Sequence, residues 1–272
     1  MDLLKRPHAP IAEEAWKAID QMARQVLATH LTGRKFVDVS GPHGPSFAAV
    51  GLGRLEMEPA TTKDGIGYGV HRVQPLVEFR ARFSLDNWEL DNLLRGAKDP
   101  DLDPLIRAAQ AAARFEDTAI FKGFAKAGIA GLDQRVEAKP HELPLEANPF
   151  LDAISSTILG LQRASVQGPY VLVLGPQPFR FLATCQSGYP LLRQVERLLG
   201  GPVLHSDILE GGWLTSTRGG DSELAIGQDF AVGYEHHEAR TLHLFVTESL
   251  TYRVLDPTAF VPFALKGRPR KS

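Results

Sequence analysis

The sequence predicts an α/β chain, on three observations. Residues 103–127 carry a long helical stripe, residues 241–257 read as one strand, and residues 54–85 form an extended arm. In the stripe, Leu105, Ile106, Ala109, Ala113, Ile120 and Phe124 recur at helical spacing. Asp103 is placed to cap it, Pro104 suits its first turn, and Gly128 its end. In the long strand Leu242, Leu244, Val246, Leu250, Tyr252 and Val254 share one face, with Glu248 among them. Such a strand exceeds the usual length of about five or six residues. In the arm, VEFRARF at 77–83 alternates apolar and charged residues, and Asp64-Gly65 supplies turn chemistry for a long hairpin. A lone two-stranded hairpin is marginal in water, so its apolar face needs a cover from the chain or from a neighbouring subunit.

The remaining elements follow in order. Ile11, Trp16, Ile19, Ala23, Val26, Leu27 and Leu31 predict an amphipathic helix over 10–31, with Glu13 and Glu14 at its favoured end and Gly33 after it. LDNWELDN at 85–92 reads as a capped helix start with Trp88 packed inward. Asn148-Pro149 opens a helix carrying Leu151, Ile154, Ile158 and Leu161. YVLVLGP at 170–176 is a short apolar run, read as a buried strand. Residues 189–201 form a helix ended by a glycine pair, and 225–235 a strand joined to the last long one by a polar turn containing His236 and His237.

Composition excludes several function classes. The chain has 272 residues, 43% hydrophobic and 23% charged, with a formal net charge of −2. Nothing global attracts nucleic acid or an anionic membrane. The sole cysteine, Cys185, excludes an intramolecular disulfide and fits a reducing compartment. No apolar run approaches the length of about 18 residues that a membrane span needs, and the opening MDLLKRPHAPIAEE has no apolar leader core. The expectation is a soluble, cytoplasmic protein with a disordered basic tail at 266–272.

The catalytic inventory is thin. There is no G-x-S-x-G elbow, phosphate-binding loop or H-E-x-x-H. His236-His237 reads as a solvated turn, since adjacent residues seldom converge on one metal without a third ligand. Glu116-Asp117 reads as a polar helix face. No catalytic residue and no metal site are expected.

An ordered series of blocks then carries a family likeness. LLKR-x-x-AP, GRKFVDV-x-GP-x-G, F-x-LD-x-WELDN-x-x-RG and FED-x-x-IF-x-G-x-x-x-AGI-x-G occur in the first half. GPY-x-LVLGP, GYPL, RGGD, GQD-x-x-x-GYE and LF-x-TES-x-T-x-RV-x-x-P follow. Together they resemble the encapsulins, once called linocin-like proteins. One departure is GPSFAA at 44–49, where relatives often read GWEYAA.

The resemblance implies a phage-capsid (HK97-like) fold: an N-terminal helix and arm (1–45), an extended loop (46–84), a peripheral domain (85–138 and 222–265) and an axial domain (139–221). It implies a shell protein without catalytic activity, about sixty copies forming an icosahedral compartment. That shell would enclose a dye-decolourising peroxidase or a ferritin-like enzyme, recruited by a C-terminal targeting peptide. The matching positions for that peptide are Leu27, Arg34, Asp38, Phe230, Val232 and Tyr234. Thr184, Cys185, Gln186, Ser187 and Gly188 match a fivefold pore loop. Trp88 and Tyr189 match positions where some members bind a flavin, although core packing is the plainer role for both. On this reading Arg34→Glu or Asp38→Arg leaves assembly intact and lowers cargo loading. The alternatives are a cytoplasmic flavin enzyme or protease of linocin-like type, and a prophage capsid protein.

Overall fold

The computed structural model describes residues 3–57 and 65–265. Asp64, half of the expected hairpin turn, and the tail at 266–272 lie outside the described residues. In chain order the helices are α1 (Glu13–His30), α2 (Asn87–Leu94), α3 (Asp103–Phe121), α4 (Leu132–Arg135), α5 (Ala147–Arg163), α6 (Pro176–Thr184) and α7 (Leu191–Leu199). The first strands are β1 (Asp38–Ser40), β2 (Ala49–Met57), β3 (Gly69–Pro75), β4 (Val77–Asp86), β5 (His141–Leu143), β6 (Tyr170–Leu174), β7 (Gln186–Ser187) and β8 (Tyr189–Pro190). The rest are β9 (Val203–His205), β10 (Gly212–Ser216), β11 (Ser222–Ile226), β12 (Ala231–His237), β13 (Thr241–Val254) and β14 (Phe260–Leu265).

Two five-stranded sheets organise the chain. The first is built on β13. β4 pairs antiparallel with it over Thr241–Leu250, while β12 and then β11 flank the other edge. β1 adds in parallel to β11. The apolar face of this sheet meets α1 and α3 through Phe83, Leu85, Leu105, Ala112, Val232 and Leu244. The second sheet runs β5-β14-β10-β6-β9. β6 and β10 are buried throughout, as expected of strands covered on both faces. Phe150, Ile154, Leu182, Leu191, Val195 and Trp213 complete that core.

The alternating segment Val77–Phe83 belongs to the first sheet and not to the hairpin. Its apolar face is covered by the chain itself, through Phe83 and Leu85 in the core. The hairpin is instead β2 paired with β3. Leu55, Met57, Tyr68, Val70 and Val73 are exposed along it and beside its turn.

Other boundaries move for local reasons. α3 stops at Phe121 because the chain turns at Gly123 (φ +77°), where a Cβ would sit 2.6 Å from the Ile129 carbonyl oxygen. Asp103 is itself the first helical residue, and the Asp101 carboxylate accepts its amide. The 225–235 strand breaks at Gly227–Phe230, between β11 and β12. His236 and His237 lie within β12; the turn is Glu238–Thr241, closed by reciprocal amide–carbonyl bonds.

Leu244 sits in β13 between β12 and β4, fully buried. Leu244→Ala is expected to cost about 2–5 kcal/mol, seen as a lowered unfolding temperature.

Candidate functional site: a groove over a buried charge cluster

A cavity of about 480 Å³ opens between α1 and the β12 edge of the first sheet. α1 presents Asp20, Ala23, Arg24 and Leu27 along one face, because steps of three and four residues share a side of a helix. Leu31 continues the line beyond the helix end. Phe230, Ala231 and Val232 face it from the sheet, with Val246 behind. Leu4 and Arg6 also line it. Arg6 forms a bidentate pair with Asp20 (2.8 and 2.5 Å), donates to the Val232 carbonyl (2.7 Å) and stacks on Trp16.

Arg34 joins this groove to the interior. The short turn Gly33–Lys35 carries it, and the Asp117 carboxylate holds that turn by accepting the amides of Thr32 and Gly33 (2.8–3.2 Å). Burial pushes the Asp117 carboxyl up to about 6, even though those amides oppose the shift. The Arg34 guanidinium donates to Glu116 (2.8 Å), Asp229 (2.9 Å) and Glu248 (2.5 Å), and lies over the Phe230 ring.

Glu116 and Glu248 are fully buried. Burial raises both carboxyls, and Arg34 opposes the shift; for Glu248 the neighbouring Glu116 charge raises it further. Two buried acids side by side cannot both ionise. Glu248 is the one pushed well above the usual carboxylate range, by burial first and by the Glu116 charge second. Burial works against the Arg34 charge, but the three acids outweigh it and raise its pKa.

The structure brings together four of the six predicted peptide-binding residues: Leu27, Arg34, Phe230 and Val232. Asp38 lies elsewhere. It is in β1, where its carboxylate accepts the Gly220 amide (2.5 Å) in a turn also held by an Arg218–Asp221 pair. Tyr234 is buried and bonds His237 through its hydroxyl (2.6 Å). The Glu116-Asp117 pair, read as a polar helix face, is buried. Arg34 is therefore no simple recognition residue. Arg34→Glu would strand acids in the core at a cost of about 3–5 kcal/mol, so it cannot test binding alone.

The five predicted pore-loop residues form one small hairpin after α6. Thr184 closes the helix, Cys185 is its cap, and Gln186-Ser187 pair back on Tyr189-Pro190 around Gly188 (φ +73°). Trp88 and Tyr189 are not core residues: they are 55% and 60% exposed. Asp86 does cap α2 by accepting the Trp88 amide (2.9 Å), but the indole lies outside under Arg95.

Among the described residues, no serine, cysteine or histidine lines the groove. Its two acids are each paired to an arginine. What it offers is apolar pockets, polar edges and a fixed direction, which suits an extended peptide. The residues missed from sequence are Leu4, Arg6, Asp20, Arg24 and Asp229. The spacing 20-23-24-27-31 was a signal for the helical part.

A family model described as an encapsulating protein for peroxidase matches residues 1–251. The type 1 encapsulin shell protein of Rhodospirillum rubrum is 41% identical over 269 residues, which cover 96% of each chain. The chain belongs to the encapsulin family. The type 1 encapsulin shell protein of Mycolicibacterium paratuberculosis is 38% identical, over 96% of this chain and 99% of the relative. Among solved structures, the virus-like particle of Pyrococcus furiosus aligns with a TM-score of 0.67 at 13% identity, covering 92% of this chain and 99% of that one. Mycobacterium phage Cain aligns at 0.57 and 13%, covering 89% and 92%. The fold is the HK97-like capsid fold. As an encapsulin the protein is a structural subunit of a multi-subunit shell and not an enzyme. Among the described residues, no helix is long and apolar enough to cross a membrane.

The buried acids generate a pH prediction. Glu248 has a raised folded pKa, so the folded state binds more protons than the unfolded one. Stability is then lost as pH rises from its ordinary value of 4.5 toward the raised one. Gln mimics the protonated acid and does not titrate. Glu248→Gln is expected to gain unfolding temperature over the wild type at pH 8 relative to pH 5. An equal difference at both pH values would count against a raised Glu248 carboxyl.

Proposed function

We propose that about sixty copies of this chain close into an icosahedral shell in the cytoplasm, and that the shell encloses an enzyme. The observation that carries this is the end-to-end match to type 1 encapsulin shell proteins. The enclosed enzyme is recruited by a short C-terminal peptide that lies in the groove between α1 and β12. Leu27, Phe230 and Val232 take its aliphatic side chains, and the Arg6–Asp20 and Arg34–Asp229 pairs fix its direction. One weak peptide per subunit suffices, because an oligomeric enzyme presents several at once.

The description of the matching family names a peroxidase, which makes a dye-decolourising peroxidase the first cargo to test and a ferritin-like enzyme the second. A diheme-cytochrome–encapsulin shell fusion protein of Kuenenia stuttgartiensis, 26% identical, carries a redox protein in its own chain. The Thr184–Gly188 hairpin lines the fivefold pore on this reading. The proposal gives the shell no resident cofactor; Trp88 and Tyr189 sit on separate elements, α2 and β8.

Electron microscopy and sedimentation of the purified protein test assembly: closed particles are expected, and a stable monomer or dimer overturns the reading. Ala231→Phe tests the groove by filling it from a partly exposed strand position. Co-expressed with a fluorescent protein bearing the tail of the enzyme encoded next door, it is expected to form normal particles with several-fold less fluorescence. Normal particles with full loading would remove the groove from the proposal.

A further inference from the structure

A second cluster lies apart from the groove, at the turn end of the first sheet. β12 and β13 are joined by the tight turn Glu238–Thr241, and that turn sets the register. His236 falls opposite His243, and Ser84 of β4 falls opposite His243 on the other side. One row across three strands therefore reads His236, His243, Ser84. The two imidazoles lie parallel with centroids 4.2 Å apart. Glu238 reaches back from the turn, its Oε1 3.9 Å from His243 Nε2. The donor atoms of His236, Glu238 and His243 all lie within 4.8 Å of one another.

The His243 ring is asymmetric in its bonding. Nδ1 is 2.9 Å from Ser84 Oγ. Nε2 is buried and has no hydrogen-bond partner among the described residues. A buried ring nitrogen left without a partner is costly and needs a reason. If Nδ1–H donates to Ser84 Oγ, Nε2 carries a free lone pair, within 4.8 Å of a donor atom of His236 and of Glu238. That is the arrangement of a metal-ligating histidine, whose other nitrogen donates to a fixed acceptor.

We propose that His236, Glu238 and His243 bind a divalent first-row transition cation, with Ser84 orienting His243. Two imidazoles and one carboxylate suit zinc, copper, nickel, cobalt or iron(II), and not calcium or magnesium, which take oxygen ligands. The donors must close to about 3.3 Å of one another to bind at the usual zinc distances of about 2.0–2.2 Å. His236 must also turn out of its stack on His243, since parallel rings cannot aim both lone pairs at one ion; it and Glu238 are exposed and free to move, while His243 is held by Ser84. A water completes the coordination. His237 does not take part: as the next residue along β12, paired with Leu242, it faces the other side of the sheet from His236. The sequence argued against a metal here for want of a third ligand. Strand register supplies it, together with a second histidine that is seven positions away in sequence.

The consequence is a shell wall that binds metal at one site per subunit, independently of the enclosed enzyme. The test uses untagged, cargo-free assembled particles, stripped with chelator and titrated with Co²⁺ by visible absorption and with Zn²⁺ by calorimetry. One saturable site per subunit, with the intense d–d bands of four-coordinate cobalt, is expected. The His236→Ala/His243→Ala double variant should lose it, and Ser84→Ala should weaken it by about tenfold or more. His30→Ala, on α1, should change nothing. If the double variant fails to assemble, Glu238→Gln on the exposed turn serves instead, with the same loss of affinity expected. Absence of a saturable site in the wild type, or unchanged binding in the variants that assemble, overturns the proposal.

Discussion

Arg34 neutralises acids from three separate elements: Glu116 of α3, Glu248 of β13 and Asp229 in the break between β11 and β12. A buried acid without that cation would be expensive, and the cation without the acids equally so. The turn that carries Arg34 is therefore fixed relative to the spine helix and to the central strand at once. The Asp117 carboxylate clamps the backbone of the same turn from the next position on α3. Everything on the groove side follows. α1 ends where this turn begins, so the line from Asp20 to Leu31 is set against β12 by the charge cluster beneath it. Phe230 is held between the Arg34 guanidinium and the Phe79 ring.

Periodicity made most of the fold legible. α1, α3, α5, α7 and β13 announce themselves by apolar residues at steps of three and four or of two, and β6 by an unbroken apolar run. What it could not show is partnership. The alternation of Val77–Phe83 is the same whether its face meets a hairpin strand, a neighbour or its own chain; only the pairing with β13 decides. The acids were misjudged for a related reason. Glu116 follows Ala113 by three and precedes Ile120 by four, and Glu248 lies between Val246 and Leu250 on one strand face. Each stands in an apolar stripe, where an acid is either an error or half of a pair. Neither stripe says that the other exists, and neither names Arg34, 82 residues before Glu116. The family likeness located Arg34 but gave it a binding role and left out its structural one. It also placed Asp38 and Tyr234 beside it, while β1 and the Tyr234–His237 bond carry them away.

The hairpin of β2 and β3 makes the opposite point. In it, pattern and burial disagree. Leu55, Met57, Tyr68, Val70 and Val73 are apolar and exposed, and among the described residues the pair has no third strand. An isolated two-stranded ribbon is marginal in water, and contiguous exposed apolar surface usually marks an interface. A free monomer would carry both liabilities. A subunit of a shell does not, because a neighbouring copy can cover what its own chain leaves bare. The exposed ribbon is thus the local, physical counterpart of the family assignment. The chain completes its core with α3 and β13, finishes its groove with Arg34, and leaves this ribbon bare.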